Sequence, residues 1–354
     1  HVLPADGAFS PLWDRPEVHD IYREWRQVFN EYNPPRFAVG EAWVKAESQH
    51  LYASTDELGQ VFNFEFAEAN WFADEFRTAI ADGLRAAEET HGSTTTWVMN
   101  NHDVPRSPSR FGLPQVKDAP YHQLAHDWLL RDGETYRENR ELGTRRARAA
   151  ALMELGLPGS AYVYQGEELG MTNPHFTEID QYRDVESLNY YKILREQGKS
   201  EAETLNILAQ RSRDDGRTPM QWDSSPNAGF TSGTPWIGVA DNYKSINAAA
   251  QTSDADSIYS FYKAMVRLRK EHRVISEGKI EFLYPDNTDL LAYRRYGSAD
   301  KEELLVLCNL TEQEIHAELP DAWATAEKLI GNYADNPSET LRPYECVVLH
   351  TTKE

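Results

Sequence analysis

The stretch TTTWVMNNHDVPRS, Thr94 to Ser107, decides how the chain is read. Thr94 to Met99 is a short β-branched and apolar run, the composition of a strand covered on both faces. It ends in Asn100-Asn101-His102-Asp103, two amides, an imidazole and a carboxylate side by side. Such a cluster is costly beside a core unless water or a ligand meets it. The strand end is therefore read as a site.

Three more strand-like runs end on polar or acidic residues. RFAVGEAW carries Glu41, QVFNFEF spans Gln60 to Phe66, and SAYVYQGEELG carries Glu167 and Glu168. Helical patterns lie around them. Ile21, Trp25, Val28, Phe29 and Tyr32 recur at helical spacing after Asp14, a candidate cap, and Pro16. Residues 70–90 and 141–155 repeat the pattern. Strands and helices alternate, with polar groups at the strand C-termini. That order predicts a parallel α/β sheet or a (β/α) barrel with its chemistry on one rim. A doubly wound sheet is the alternative, but no glycine-rich phosphate turn is present.

Residues 104–140 read as a loop with one short helix near 121–130, and residues 171–253 as a long irregular insertion. A last helix covers about 254–273, with a basic end that suits its dipole. From 274 the texture changes to closely spaced strands, predicting a small antiparallel β-sandwich domain over 274–354.

With 36 basic and 57 acidic residues, the formal charge is −21. An acidic surface of that size repels nucleic acid and anionic membranes. No apolar run of about 18 residues exists, so no membrane helix is expected. The two cysteines, Cys308 and Cys346, lie in apolar strands and read as buried thiols of a cytoplasmic protein, with a disulfide between them as the alternative. No metal-ligand spacing of the zinc or calcium-loop kind is found, and no serine elbow.

Glu41 follows an apolar strand and precedes Trp43. Desolvation there would favour its acid form, as a general acid requires. The ordinary alternative is a salt-bridged strand end. Asp103, among amides and an imidazole, would stay ionised; the ordinary alternative is a turn aspartate. His102 alone reads as readily as a packed histidine. Two carboxyls in opposed settings on neighbouring strand ends point to glycoside chemistry.

AVGEAW, NNHD, YQGEELGM and GRTPMQWD (Gly216 to Asp223) together resemble the α-amylase family, glycoside hydrolase family 13, of the α-glucosidase and oligo-1,6-glucosidase type. The resemblance implies the C-terminal half of a (β/α)8 TIM barrel over residues 1–273, followed by the β domain. It implies Glu41 as general acid/base and Asp103 as transition-state stabiliser. His102 and Arg217 would bind substrate, and Glu167 and Glu168 would be structural. Met220, Gln221 and Trp222 are expected to pack rather than touch substrate. The implied activity is retaining hydrolysis of terminal α-glucosidic bonds in short oligosaccharides or disaccharides. Alternatives are a sucrose-isomerase or trehalose-synthase type of transfer, or a non-catalytic relative of the transporter-subunit kind. No cofactor is expected, with calcium left open for the family's N-terminal part. The family's aspartate nucleophile motif is not found; the nucleophile is expected upstream of His1. The N-terminal half of the barrel is expected as a second polypeptide.

Overall fold

The structure is a computed structural model and describes residues 13–42, 44, 46–90, 94–117, 138–320, 323, 325–335 and 340–352. The expected helix near 121–130 and Trp43 lie outside the described residues.

Helix α1 (Pro16–Asn30) leads into strand β1 (Ala38–Gly40) and helix α2 (Ala46–Tyr52). Proline near the first turn starts α1 as expected, but Asp14 does not cap it. Its carboxylate instead accepts from the Tyr52 and Ser48 hydroxyls at 2.8 and 2.9 Å. Strand β2 is only Gly59–Val61, because Asn63 then caps a short helix, α3 (Phe64–Glu68), by accepting from Phe66 N–H at 2.9 Å. The alternating pattern of QVFNFEF predicts one strand; the cap turns its second half into helix.

Helix α4 (Ala73–Glu89), strand β3 (Thr96–Val98), the turn-like helix α5 (Ser107–Arg110), helix α6 (Arg140–Leu155) and strand β4 (Ser160–Tyr162) follow. β1 pairs with β2 and β3 with β4, both in parallel. Side chains join the two pairs. Thr96 Oγ1 donates to Val61 O at 2.5 Å, and Gln60 Nε2 donates to Thr94 Oγ1 at 2.6 Å and Ser160 Oγ at 2.7 Å. The four strands thus form one arc with helices outside, and their C-terminal ends share one rim.

The arc is open among the described residues. Ile21, Trp25, Val28 and Tyr32, which recur at helical spacing, are each about half exposed, as are Phe37 and Val163 at its two edges. The amphipathic stripe is present, but nothing described covers it.

Residues 171–253 are not simply irregular. They hold helices α7 (Val185–Glu196), α8 (Glu201–Arg211) and α9 (Ala248–Thr252), with 3-10 turns between. Asp184 caps α7, and Ser200 with Glu203 forms a capping box on α8. Phe176, Tyr182, Leu194 and Leu208 give the segment a core of its own. Helices α10 (Ile258–Glu271) and α11 (Arg273–Glu277) complete the helical part.

Strands β5 (Lys279–Leu283), β6 (Leu290–Tyr296), β7 (Glu302–Asn309), β8 (Ile315–His316), β9 (Glu327–Gly331), β10 (Thr340–Leu341) and β11 (Cys346–Thr352) follow. Five make an antiparallel sheet in the order β5-β6-β7-β11-β9, and β8 pairs with β10. Alternation sorts the side chains into two faces. Leu291, Tyr293, Leu304, Val306 and Val348 pack on α4, α6, α10 and α11; Leu290, Leu305, Leu307 and Val347 pack on Trp323 and Leu341. Cys308 and Cys346 face each other in register as free, buried thiols. Arg295, fully buried, fastens the sheet to the helices. It donates to the carbonyls of Gly156, Ile275 and Gly278 at 2.6–2.7 Å.

Glu154 on α6 is buried, and its Oε1 has no hydrogen-bond partner among the described residues. Burial pushes this carboxyl well up, and the neighbouring Glu167 charge adds to the effect. A carboxyl raised on folding stabilises fully below the ordinary range of about 4 and loses that contribution as pH climbs through its raised value. Glu154→Gln is therefore expected to raise the melting temperature at pH 8 and to change it little at pH 5. Thermal melts across that range check this, and an equal shift at both pH values would contradict it.

Candidate active site

Glu41 follows β1 directly, and Asn100 to Asp103 follow β3 one residue after its end. One ligand atom from each of Glu41, His102 and Asp103 lies within 4.8 Å of the others. Residues 62 positions apart thus meet because parallel strands bring their C-termini to one rim.

The loop after β3 is held from within. Asn101 Oδ1 accepts from the Asp103 and Val104 N–H groups at 2.8 and 3.0 Å, which sets the turn. Asn100 turns inward, accepting from Ser107 N–H at 2.9 Å. The two amides therefore shape the loop and are not bonded to the Asp103 carboxylate, contrary to the expectation. Arginines take that role. Arg217 Nη2 donates to Asp103 Oδ1 at 2.5 Å, and Arg213 Nη1 stands 3.8 Å from the same oxygen. His102 Nε2 lies 3.5 Å from Asp103 Oδ2. All four expected site residues, Glu41, His102, Asp103 and Arg217, come together.

Three more residues were not singled out from sequence. Asp184, at the start of α7, accepts from Arg213 Nη2 at 2.8 Å and Arg217 Nη1 at 3.4 Å. Two arginines thus bridge two aspartates, so Asp103 sits in a charge-paired frame. Arg106 supports this frame from below. Its guanidinium donates to the carbonyls of Asp215, Gln165 and Thr218 at 3.0–3.3 Å and to Thr218 Oγ1 at 3.0 Å. Burial pushes it down to about 10, so it stays cationic at neutral pH. The doublet Arg213 and Arg217 around one short turn was the available signal for Arg213. For Asp184 it was the acidic residue before a helical run.

Gly216 lets this turn reach the Asp103 loop. A Cβ there would stand 2.8 Å from Asn101 O and 3.1 Å from Val104 O. Gly216→Ala is expected to cost about 1–3 kcal/mol through overpacking. By displacing Arg217 it should also lower turnover about a hundredfold. Melting and steady-state kinetics check both; wild-type kinetics would contradict the packing role.

Glu41 is exposed, so the apolar enclosure expected around its carboxyl is not supplied by the described residues. Glu167 is buried, with its Oε1 accepting from the Tyr262 hydroxyl at 2.8 Å and its Oε2 from Tyr164 N–H at 3.3 Å. It points into the fold and away from solvent. Gln221 is buried, but Trp222 is half exposed rather than packed. Glu41, His102 and Asp103 could meet a cation by distance. Arg217 and Arg213 already neutralise Asp103, which favours a neutral polyhydroxylated ligand.

Residues 6–278 match the family model described as alpha amylase, catalytic domain, and residues 280–348 that of the maltogenic amylase C-terminal domain. The chain belongs to the α-amylase family. The trehalose-6-phosphate hydrolase of Bacillus subtilis (strain 168) is 36% identical over 363 residues, 96% of this chain and 59% of the relative. The oligo-1,6-glucosidase of Parageobacillus thermoglucosidasius is 34% identical over 356 residues, 94% of this chain and 58% of the relative. Among solved structures, trehalose-6-phosphate hydrolase from Bacillus licheniformis superposes with a TM-score of 0.78 at 37% identity. It is matched over 96% of this chain and 60% of that one. A trehalulose synthase mutant gives 0.75 at 31%, over 96% and 60%. The chain thus spans about three fifths of the length of these relatives. As an α-amylase family chain, its arc is part of a (β/α)8 barrel, with the antiparallel sheet as the C-terminal domain. Nothing in these relatives supports a second polypeptide as the source of the other strands. No helix among the described residues is long and apolar enough to cross a membrane.

Proposed function

We propose that this chain supplies the acid/base and the sugar-gripping groups of a retaining α-glucosidase acting at the non-reducing end of short oligosaccharides or disaccharides. The observation that carries the reading is the approach of Glu41, His102 and Asp103 within 4.8 Å of one another at the rim of a parallel arc. Glu41 protonates the leaving glycosidic oxygen and later activates water. Asp103, aligned by Arg217 and Arg213, binds ring hydroxyls and favours the positively charged, oxocarbenium-like centre. His102 and Arg217 close on the terminal sugar. The nucleophilic carboxylate comes from barrel strands outside these 354 residues. The uncovered stripe on α1 and the exposed arc edges support strands packing there. The change from helix to strand at residues 277–279 supports two domains, with the division there rather than at 273/274, which falls inside α11. Two free thiols facing each other in register support a reducing, cytoplasmic setting.

The experiment is proton NMR of the glucose released at early times from a nitrophenyl α-glucoside and from trehalose 6-phosphate, where all the free glucose comes from the non-reducing side. Retention gives α-glucose before mutarotation. Initial release of β-glucose from these substrates would end the reading. The likeness to a trehalulose synthase motivates a second reading, transfer to a sugar hydroxyl instead of water. Incubation with sucrose separates the two, since transfer yields an isomeric disaccharide and hydrolysis yields glucose and fructose.

A further inference from the structure

Three side chains remote from the rim converge where the last helices meet the sheet. His272 ends α10 and precedes α11, Glu302 opens β7, and His350 lies near the end of β11. The register pairs Glu302 with Thr352 and Leu304 with His350. Glu302 and His350 are therefore diagonal neighbours on one face of the sheet. It is the face whose Leu304, Val306 and Val348 pack on the helices, so the three polar groups sit at the border of that apolar seam.

His272 Nδ1 lies 3.1 Å from Glu302 Oε1, and His350 Nε2 lies 3.4 Å from the same oxygen. All three ligand atoms fall within 4.8 Å of one another. A hydrogen bond accounts for the first contact only. His350 Nε2 is buried and has no hydrogen-bond partner among the described residues. A buried nitrogen left without a partner is costly, and it needs an occupant that the hydrogen-bonding groups do not provide.

We propose that His272, Glu302 and His350 form a binding site for a divalent zinc-like cation, through Nδ1, a carboxylate oxygen and Nε2. Metal–ligand bonds of about 2.0–2.1 Å in a tetrahedron put neighbouring ligand atoms roughly 3.3 Å apart. Two edges of the observed triangle already have that length, so a modest closing of the third completes it. Two imidazoles and one carboxylate suit zinc, cobalt or nickel, whereas calcium and magnesium prefer all-oxygen shells. The side chains are 16, 19 and 18% exposed, shielded from bulk water yet open enough to admit an ion and leave a fourth position to solvent. One ligand comes from the helical part and two from the sheet. The bound ion would thus clasp the barrel helices to the C-terminal domain, far in role from the sugar chemistry.

The test loads the chelator-stripped full chain with Zn2+, removes excess by desalting and measures retained metal by mass spectrometry. One equivalent per chain is expected, with a higher melting temperature. Glu41→Gln/Asp103→Asn should keep that equivalent, whereas His350→Gln and His272→Gln should each lose affinity at least about a hundredfold. Co2+ in the unaltered chain should give the intense visible bands of a four-coordinate ion, a readout that needs no variant. No retained zinc and no such bands, equal retention in His350→Gln, or loss only with the Glu41 and Asp103 changes would each overturn the proposal.

Discussion

Glu41→Gln in the enzyme that contains this chain is expected to lower kcat by about 10²–10⁴ with the melting temperature unchanged. The carboxyl is exposed at the end of β1, so its amide isostere disturbs no packing. The loss should depend on the leaving group. A nitrophenyl glucoside needs little protonation in the first step, so glycosyl-enzyme formation should be nearly normal while its hydrolysis stays slow. A burst of nitrophenol followed by slow turnover is the expected trace. Equal loss of the burst for activated and natural substrates would contradict the acid/base role.

Asp103→Asn should lower kcat/KM by about 10²–10³. Its cause is electrostatic, since the amide fills the same space. Arg217, 2.5 Å from the carboxylate, and Arg213, 3.8 Å away, would lose their shared anion, leaving Asp184 to both and Glu186 to Arg213 alone. Two cations would then face the position where positive charge grows in the transition state. The effect should therefore fall on kcat more than on ground-state binding. Steady-state kinetics on isomaltose or trehalose 6-phosphate check it. A rise in KM alone would show that Asp103 only binds sugar.

The rim was legible because its groups are contiguous in sequence. NNHD and GEAW each place a carboxyl right after an apolar run, and a parallel strand order brings such ends together. Arg217 became visible only through the resemblance. Arg106, Arg213 and Asp184 are brought to the site only by the fold, because each takes its meaning from partners tens of residues away, whatever local signal it carries. Arg106, for example, reaches Gln165 and Thr218, 59 and 112 positions on. The helices within 171–253 escaped because prolines, asparagines and turns surround them. Their starts were nonetheless written locally, in Asp184 and in the Ser200–Glu203 box. The helical spacing of the apolar residues on α1 is legible in the sequence, but periodicity tells only that a face needs cover, not what covers it. The exposed Glu41 teaches the same lesson. Sequence neighbours did not predict its solvent environment, which depends on segments that pack from elsewhere.

The most direct test of the shared sugar pocket is a crystal structure of the enzyme with a glucose-shaped iminosugar, whose ammonium imitates the charged transition state. The account predicts one ring held by the carboxylates of both Glu41 and Asp103, with His102 and Arg217 on its hydroxyls. An iminosugar bound away from this rim, or Glu41 and Asp103 both turned away from the ring, would contradict it.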